Sequence, residues 1–173
     1  QGMAMDDFHL ESPGDIDMSG NLDQVLAGDS PSTWLSFGKD GNRAAMVQND
    51  AAMGNLNLSM EINQDGIRSI GDRYYLNRNF LLMPQASPSA PQKIRFFIPQ
   101  SEVSQLMTKD LSLNGFRQLG VFRYHGANRD FSPDNNDFSP GNDFGFYSGA
   151  SVVKVPTYGG HYLEVEAFGF SEF

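Results

Sequence analysis

The stretch NLNLSMEI, Asn55 to Ile62, decides the fold. Leu56, Leu58, Met60 and Ile62 fall on one side of an extended chain, and Asn55, Asn57, Ser59 and Glu61 on the other. A period of two is the signature of a β-strand with one face in a core and the other in water. Strands of that kind belong to antiparallel sheets packed face to face.

The neighbouring stretches carry the same signal less cleanly. Upstream, TWLSFG (33–38) and RAAMV (43–47) flank KDGN, whose Asp40-Gly41 pair is a strong hairpin signal. Downstream, the turn at NQDG leads into the aromatic run RYYLNRNFLLM (73–83). A loop bearing Pro and Ser then precedes KIRFFI (93–98). FRQLGVFRYH (116–125), SVVKV (151–155) and the closing HYLEVEAFGFSEF (161–173) read as further strands. In the last, Leu163, Val165 and Ala167 alternate with Tyr162, Glu164 and Glu166, and Gly169 interrupts the pattern as a bulge would. The single helix is SEVSQLM (101–107), with Ser101 as its N-cap, Glu102 in the first turn, and Val103, Leu106 and Met107 at helical spacing. Residues 1–24 read as an irregular acidic segment whose FHLES (8–12) is a short strand, and residues 25–173 as one module. Roughly eight strands and one short helix define an all-β, antiparallel, jelly-roll-like sandwich.

Composition agrees with that architecture. A chain of 173 residues is one domain with a sizeable core. The 14 Phe, 6 Tyr and one Trp supply bulky apolar material, and the 18 Gly and 9 Pro imply frequent turns between short strands. With 12 Lys and Arg against a net charge of −9, the chain lacks the clustered cations that nucleic acid demands. The lack of cysteine excludes disulfides, thiolate zinc sites and a cysteine nucleophile. No apolar run approaches the roughly 18 residues of a membrane span.

Several residues bear on chemistry. Gly28-Asp29-Ser30 has the look of a serine-esterase opening, but Pro31 follows directly and the late His161 has no Asp three residues before it. A polar turn is the better reading. His9, His125 and His161 are scattered, without a second ligand at metal spacing. Glu164 and Glu166 share a strand face roughly 7 Å apart, as paired glycosidase carboxylates would, yet that face is the solvated one. The segment NRDFSPDNNDFSPGNDFGFY (128–147) repeats DFSP, and its Asp130, Asp134, Asp137 and Asp143 are hard-oxygen ligands of the kind Ca²⁺ takes. The D-x-D-x-D spacing of an EF-hand is missing, so a solvated loop of Asx-turns is the expectation and Ca²⁺ the one ion to test. Trp34, Tyr74, Tyr75, Tyr147 and Tyr158 are the aromatics that can stack on sugar rings.

The final stretch also carries a resemblance. YLEVEAFGFSEF resembles the Y-x-x-F-x-V-x-S-F-S-E-F ending of a β-rich accessory module found in secreted multidomain proteins of Bacteroidetes that use the type IX secretion system. Ser171, Glu172 and Phe173 match, and Gly169 stands where Ser is usual. GIRSIGDRYYLNRNFLLMP (66–84) is similar to that module's YYLNRNW-containing segment, with Phe80 in place of Trp. KIRFFIPQSEVSQLM (93–107) is similar to its strand followed by a short helix. The resemblance covers about residues 25–173 and implies a module cut from a longer secreted or cell-surface chain, with no catalytic residue. The expected function is therefore a non-catalytic binding or adhesion module with a polysaccharide or cell-surface ligand. A structural spacer is the alternative, and a glycosidase or esterase ranks third. Neighbouring domains of the parent protein are the other expected partners.

Overall fold

A computed structural model describes residues 16, 20–28, 33–49, 53–70, 73–126, 129–131 and 144–173. The strand at 8–12, His9, Ser30, Asp134, Asp137 and Asp143 lie outside the described residues.

The elements, in order, are β1 (Leu22–Leu26), β2 (Trp34–Phe37), β3 (Ala45–Gln48), β4 (Leu56–Ile62), β5 (Arg68–Ile70), β6 (Arg73–Tyr75), β7 (Arg78–Pro84), β8 (Gln92–Pro99), α1 (Gln100–Lys109), a 3-10 turn (Phe116–Gln118), β9 (Val121–Tyr124), β10 (Phe144–Tyr147), β11 (Val153–Thr157) and β12 (Gly160–Ala167). One sheet runs β11-β12-β8-β3-β2 without interruption. The other consists of β1-β4-β7 and β10-β9, and the closing residues join the two parts. All paired strands are antiparallel, and β5 with β6 forms a separate hairpin. The result is an all-β sandwich with one α-helix among the described residues.

The alternation at 55–62 holds. Leu56, Leu58 and Met60 are buried on the inner face, where they meet Phe80 and Leu82 of β7 and Ile94, Phe96, Leu163 and Val165 of the facing sheet. Along β12 the predicted parity also holds: Leu163, Val165 and Ala167 are buried, and Glu166 is exposed. The turn after β2 behaves as Asp40-Gly41 requires. Both residues take positive φ, 55° and 82°, and the Asn42 N–H donates to Lys39 O at 2.9 Å.

Five local readings are corrected. First, the irregular reading of residues 1–24 fails at its end, where β1 begins at Leu22. Its Leu22 and Leu26 pack on the core, while Asp23 and Gln24 disguise the apolar pattern of an edge strand. Second, RYYLNRNFLLM is two strands, because the chain breaks after Tyr75 and only β7 joins the sandwich. Third, the beginning of FRQLGVFRYH is a 3-10 turn, in which Leu119 N–H returns to Phe116 O at 3.1 Å. Fourth, Ser101 is no N-cap. The helix follows β8 directly, and the first helical N–H, of Gln100, donates to Gly159 O at 3.0 Å across the fold. Fifth, Gly169 is no bulge within a continuing strand. At φ 75° it is the corner where the chain leaves the unbroken sheet for the other.

Candidate functional site

Beyond that corner, Ser171, Glu172 and Phe173 enter the gap between β7 and β9. Phe80 and Phe173 exchange backbone bonds of 2.8 and 2.7 Å, and Leu82 N–H donates to Ser171 O at 3.0 Å. On the other side, Tyr124 and Glu172 exchange bonds of 2.8 and 3.1 Å. Three residues thus act as a short strand with partners on both flanks. The Phe173 ring packs against Phe96, 5.1 Å between centroids, and Phe96 against Phe80 at 4.8 Å.

Past Phe173 the flanking strands continue, β7 back to Arg78 and β9 back to Val121, without pairing to each other. The space between them is a cavity of about 720 Å³. Its floor is apolar and belongs to the opposite sheet and the helix: Phe96, Ile98, Leu163 and Leu106. Its mouth lies on the outer face of β9 and β10 and under the β5–β6 hairpin. There Phe122 stacks with Phe144 at 5.4 Å and meets Phe146, its cross-strand partner, at 4.7 Å. The Arg73 guanidinium covers these rings, 5.8 Å from Phe122 and 5.4 Å from Phe146. Tyr74 and Tyr75 line the same opening.

One buried acid, Glu172, lines the cavity, and a second, Glu102, is bound to the lining residue Arg78. Glu102 of α1 accepts a bond from Arg78 Nε at 2.8 Å, and burial pushes its carboxyl above the ordinary range against the pull of that arginine. Glu172 has no such close partner. Burial first, and the charge of Asp130 second, raise it to about 7, opposed by backbone N–H bonds from Phe131 and Asp130 and by Arg68. Phe131 sits at φ 65°, a conformation costly for an aromatic residue. Its carbonyl is held there by Asn79 Nδ2 at 3.0 Å and Arg68 Nη1 at 3.3 Å.

Of the aromatics singled out in the sequence, the fold brings only Tyr74 and Tyr75 to the cavity. Tyr147, in β10, packs on the main core. Tyr158 is exposed in the β11–β12 turn. Trp34 lies against Arg95, 3.9 Å from guanidinium to ring, with Tyr162 on the same cation at 4.8 Å. Phe122, Phe144, Phe146 and Arg73 were missed. The alternating aromatics of VFRY and FGFY were the available signal, and only their pairing makes one surface of them.

Of the residues considered for catalysis, Glu164, Glu166 and His161 stand apart from this cavity. Glu164 is bound to Arg95 at 2.7 Å, and Glu166 is exposed two residues further on. The His161 ring stacks on Phe116 at 3.6 Å, and burial lowers its pKa. Among the described residues, no three His, Asp or Glu side chains gather as a metal would need. Of the proposed Ca²⁺ ligands only Asp130 is described, beside Glu172. No helix among the described residues is long and apolar enough to cross a membrane. No protein family, curated protein or solved structure matches the chain.

Proposed function

We propose that the chain is a non-catalytic binding module of a secreted or cell-surface multidomain protein, and that its ligand enters the cavity between β7 and β9. The observation that carries this reading is the cavity itself. It combines an apolar floor with a rim of stacked aromatics and one guanidinium, and it is large enough for a small ligand or a short segment of a polymer. Glu164, the carboxylate considered for hydrolysis, is paired with Arg95 away from the cavity. The likeness of the closing stretch to accessory modules of exported Bacteroidetes proteins supports the extracellular setting.

The test is retention of the intact chain on affinity gels of soluble polysaccharides and on arrays of extended peptides, with Tyr74→Ala and Phe146→Ala beside the unaltered protein. Both side chains are partly exposed, 39% and 46%, so neither substitution threatens the core. Binding lost in both variants is expected. A ligand whose retention ignores both would move the site elsewhere, and no retention at all would favour a structural spacer.

A further inference from the structure

We propose that the outer lip of the cavity recognises a carboxylated sugar ring, and that the ligand is a polysaccharide of uronic acids. This rests on the reading of the chain as a binding module and names the ligand class of its site.

The lip is built from elements that pair among themselves. β9 and β10 form one ladder, with Phe122 opposite Phe146 and Tyr124 opposite Phe144. Val121 and Tyr147, opposed in the same ladder, pack on the main core. Alternation therefore turns Phe122, Phe144 and Phe146 together to the outside. The β5–β6 hairpin brings Arg73 over Phe122 and Phe146, and Tyr74 to the same opening; both hairpin residues are exposed. None of these groups belongs to the floor of the cavity or to the closing stretch.

The three Phe rings offer apolar faces and no hydrogen-bonding atom. The C–H face of a pyranose stacks on such a surface while its hydroxyls stay in water or reach the Tyr74 hydroxyl. A peptide laid over the rings would meet no backbone group, because β9 and β10 bond each other in the plane of the sheet.

Arg73 adds the charge. Of the other charged side chains lining the cavity, Arg78 is paired with Glu102 at 2.8 Å, and Asp110 accepts the Ser112 N–H at 3.0 Å. Glu172 is turned to Asp130, Phe131 and Arg68. Arg73 makes no hydrogen bond or ion pair among the described residues; its contacts are the two rings. A cation–π contact uses none of the guanidinium N–H groups, and their planar fork matches the two oxygens of a carboxylate. A hexuronate carries that carboxylate on the same ring that stacks, whereas a neutral sugar would leave the fork unmet. The chain carries a net charge of −9, so its overall field repels a polyanion and retention of one requires a local cation.

The test uses the full chain in chelator, so that no divalent cation bridges protein and polymer. Affinity gels carry a hexuronic acid homopolymer, the same polymer methyl-esterified, a sulfated glucan or a neutral glucan. We expect the uronate polymer to retain the chain, and esterification to cost about tenfold in affinity. Arg73→Gln should cost as much on the uronate polymer and nothing on its ester, while Phe146→Ala weakens both. Both substituted residues are exposed, and an unchanged melting midpoint shows that the fold is intact. Equal retention of acid and ester, or a stronger Arg73-dependent hold on the sulfated polymer, would overturn the inference. So would retention of a neutral glucan or a peptide that Phe146→Ala abolishes and Arg73→Gln leaves alone; in each of these cases the binding-module reading stands. No retention of any polysaccharide or peptide would overturn both.

Discussion

The two sheets of this sandwich are built from similar strands and closed in different ways. In β11-β12-β8-β3-β2 every strand meets its neighbour along a continuous ladder; β12 pairs with β8 over its whole length, from Gly160 to Ala167. Its outer face is tied by Arg95, which joins Trp34, Tyr162 and Glu164. The other sheet contains a seam. Among the described residues, its halves, β1-β4-β7 and β9-β10, are joined through the three residues Ser171–Phe173. A seam of that kind is both a weak point and an opening. Glu172, with its raised pKa, lies in it, and the cavity lies beside it, lined in part by Arg78, the partner of Glu102. Continuity and interruption are thus divided between the sheets: one is unbroken, and the other holds the seam and the cavity.

Deleting Ser171–Phe173 tests the contrast most severely. It removes the Phe173 ring from the core and five backbone bonds from the seam, a loss of about 4 kcal/mol or more. A urea melt should show either an unfolded chain or separate loosening of β9 and β10. A cooperative melt at the original midpoint would mean that the seam holds nothing together.

Arg78→Met comes next. It leaves Glu102 buried without its cation, at a cost of about 3–5 kcal/mol, and the paired change with Glu102→Leu should recover most of that. Absence of recovery in chemical denaturation would deny that the two residues act as a pair.

Glu172→Gln should act in the opposite direction and stabilise. The carboxyl of Glu172 rises from an ordinary 4.5 to about 7 in the fold, so the folded chain binds the proton more tightly than the unfolded one. Its contribution is favourable below about 4.5, is lost as pH rises through about 7, and is constant above. Above pH 7 the variant should therefore gain on the order of 2 kcal/mol over the unaltered chain, and near pH 4 it should gain nothing. His161, whose pKa is lowered, has the reverse sign, so the difference between the two proteins across pH is the quantity to measure. A difference independent of pH would place Glu172 in water.

The smallest effect belongs to the unbroken sheet. Glu164→Gln removes a partly exposed ion pair and should shift stability by less than about 1 kcal/mol, with retention on any ligand of the cavity unaltered. A change in binding from this substitution would erase the division between the two sheets.

Much of the sandwich could be read from local pattern. The faces of β4 and β12, the Asp40-Gly41 turn, β8 and the helix after it follow from period and turn chemistry, which act over a few residues. Their inward side chains are the ones found buried. What local pattern misjudged were elements that owe their form to distant partners. β1 is a strand because β4 offers an edge to it. β10 is one because Phe146 and Phe144 find Phe122 and Tyr124 opposite. The helix begins without a side-chain cap because Gly159 supplies the acceptor.

The cavity is the extreme case. Tyr74 and Tyr75 were visible as aromatics, but the site needs Arg73 from one hairpin, Phe122 and Phe146 from another, and Phe173 at its head. The same holds for Glu172: as a residue it is an ordinary carboxylate on an alternating stretch. Only the turn at Gly169, which sends it between β7 and β9 and beside Asp130, removes it from water and changes its chemistry. Alternation specifies which face a side chain takes, since that depends on its own backbone. Which strand lies opposite, and how far the next one stands, depends on how the whole chain closes.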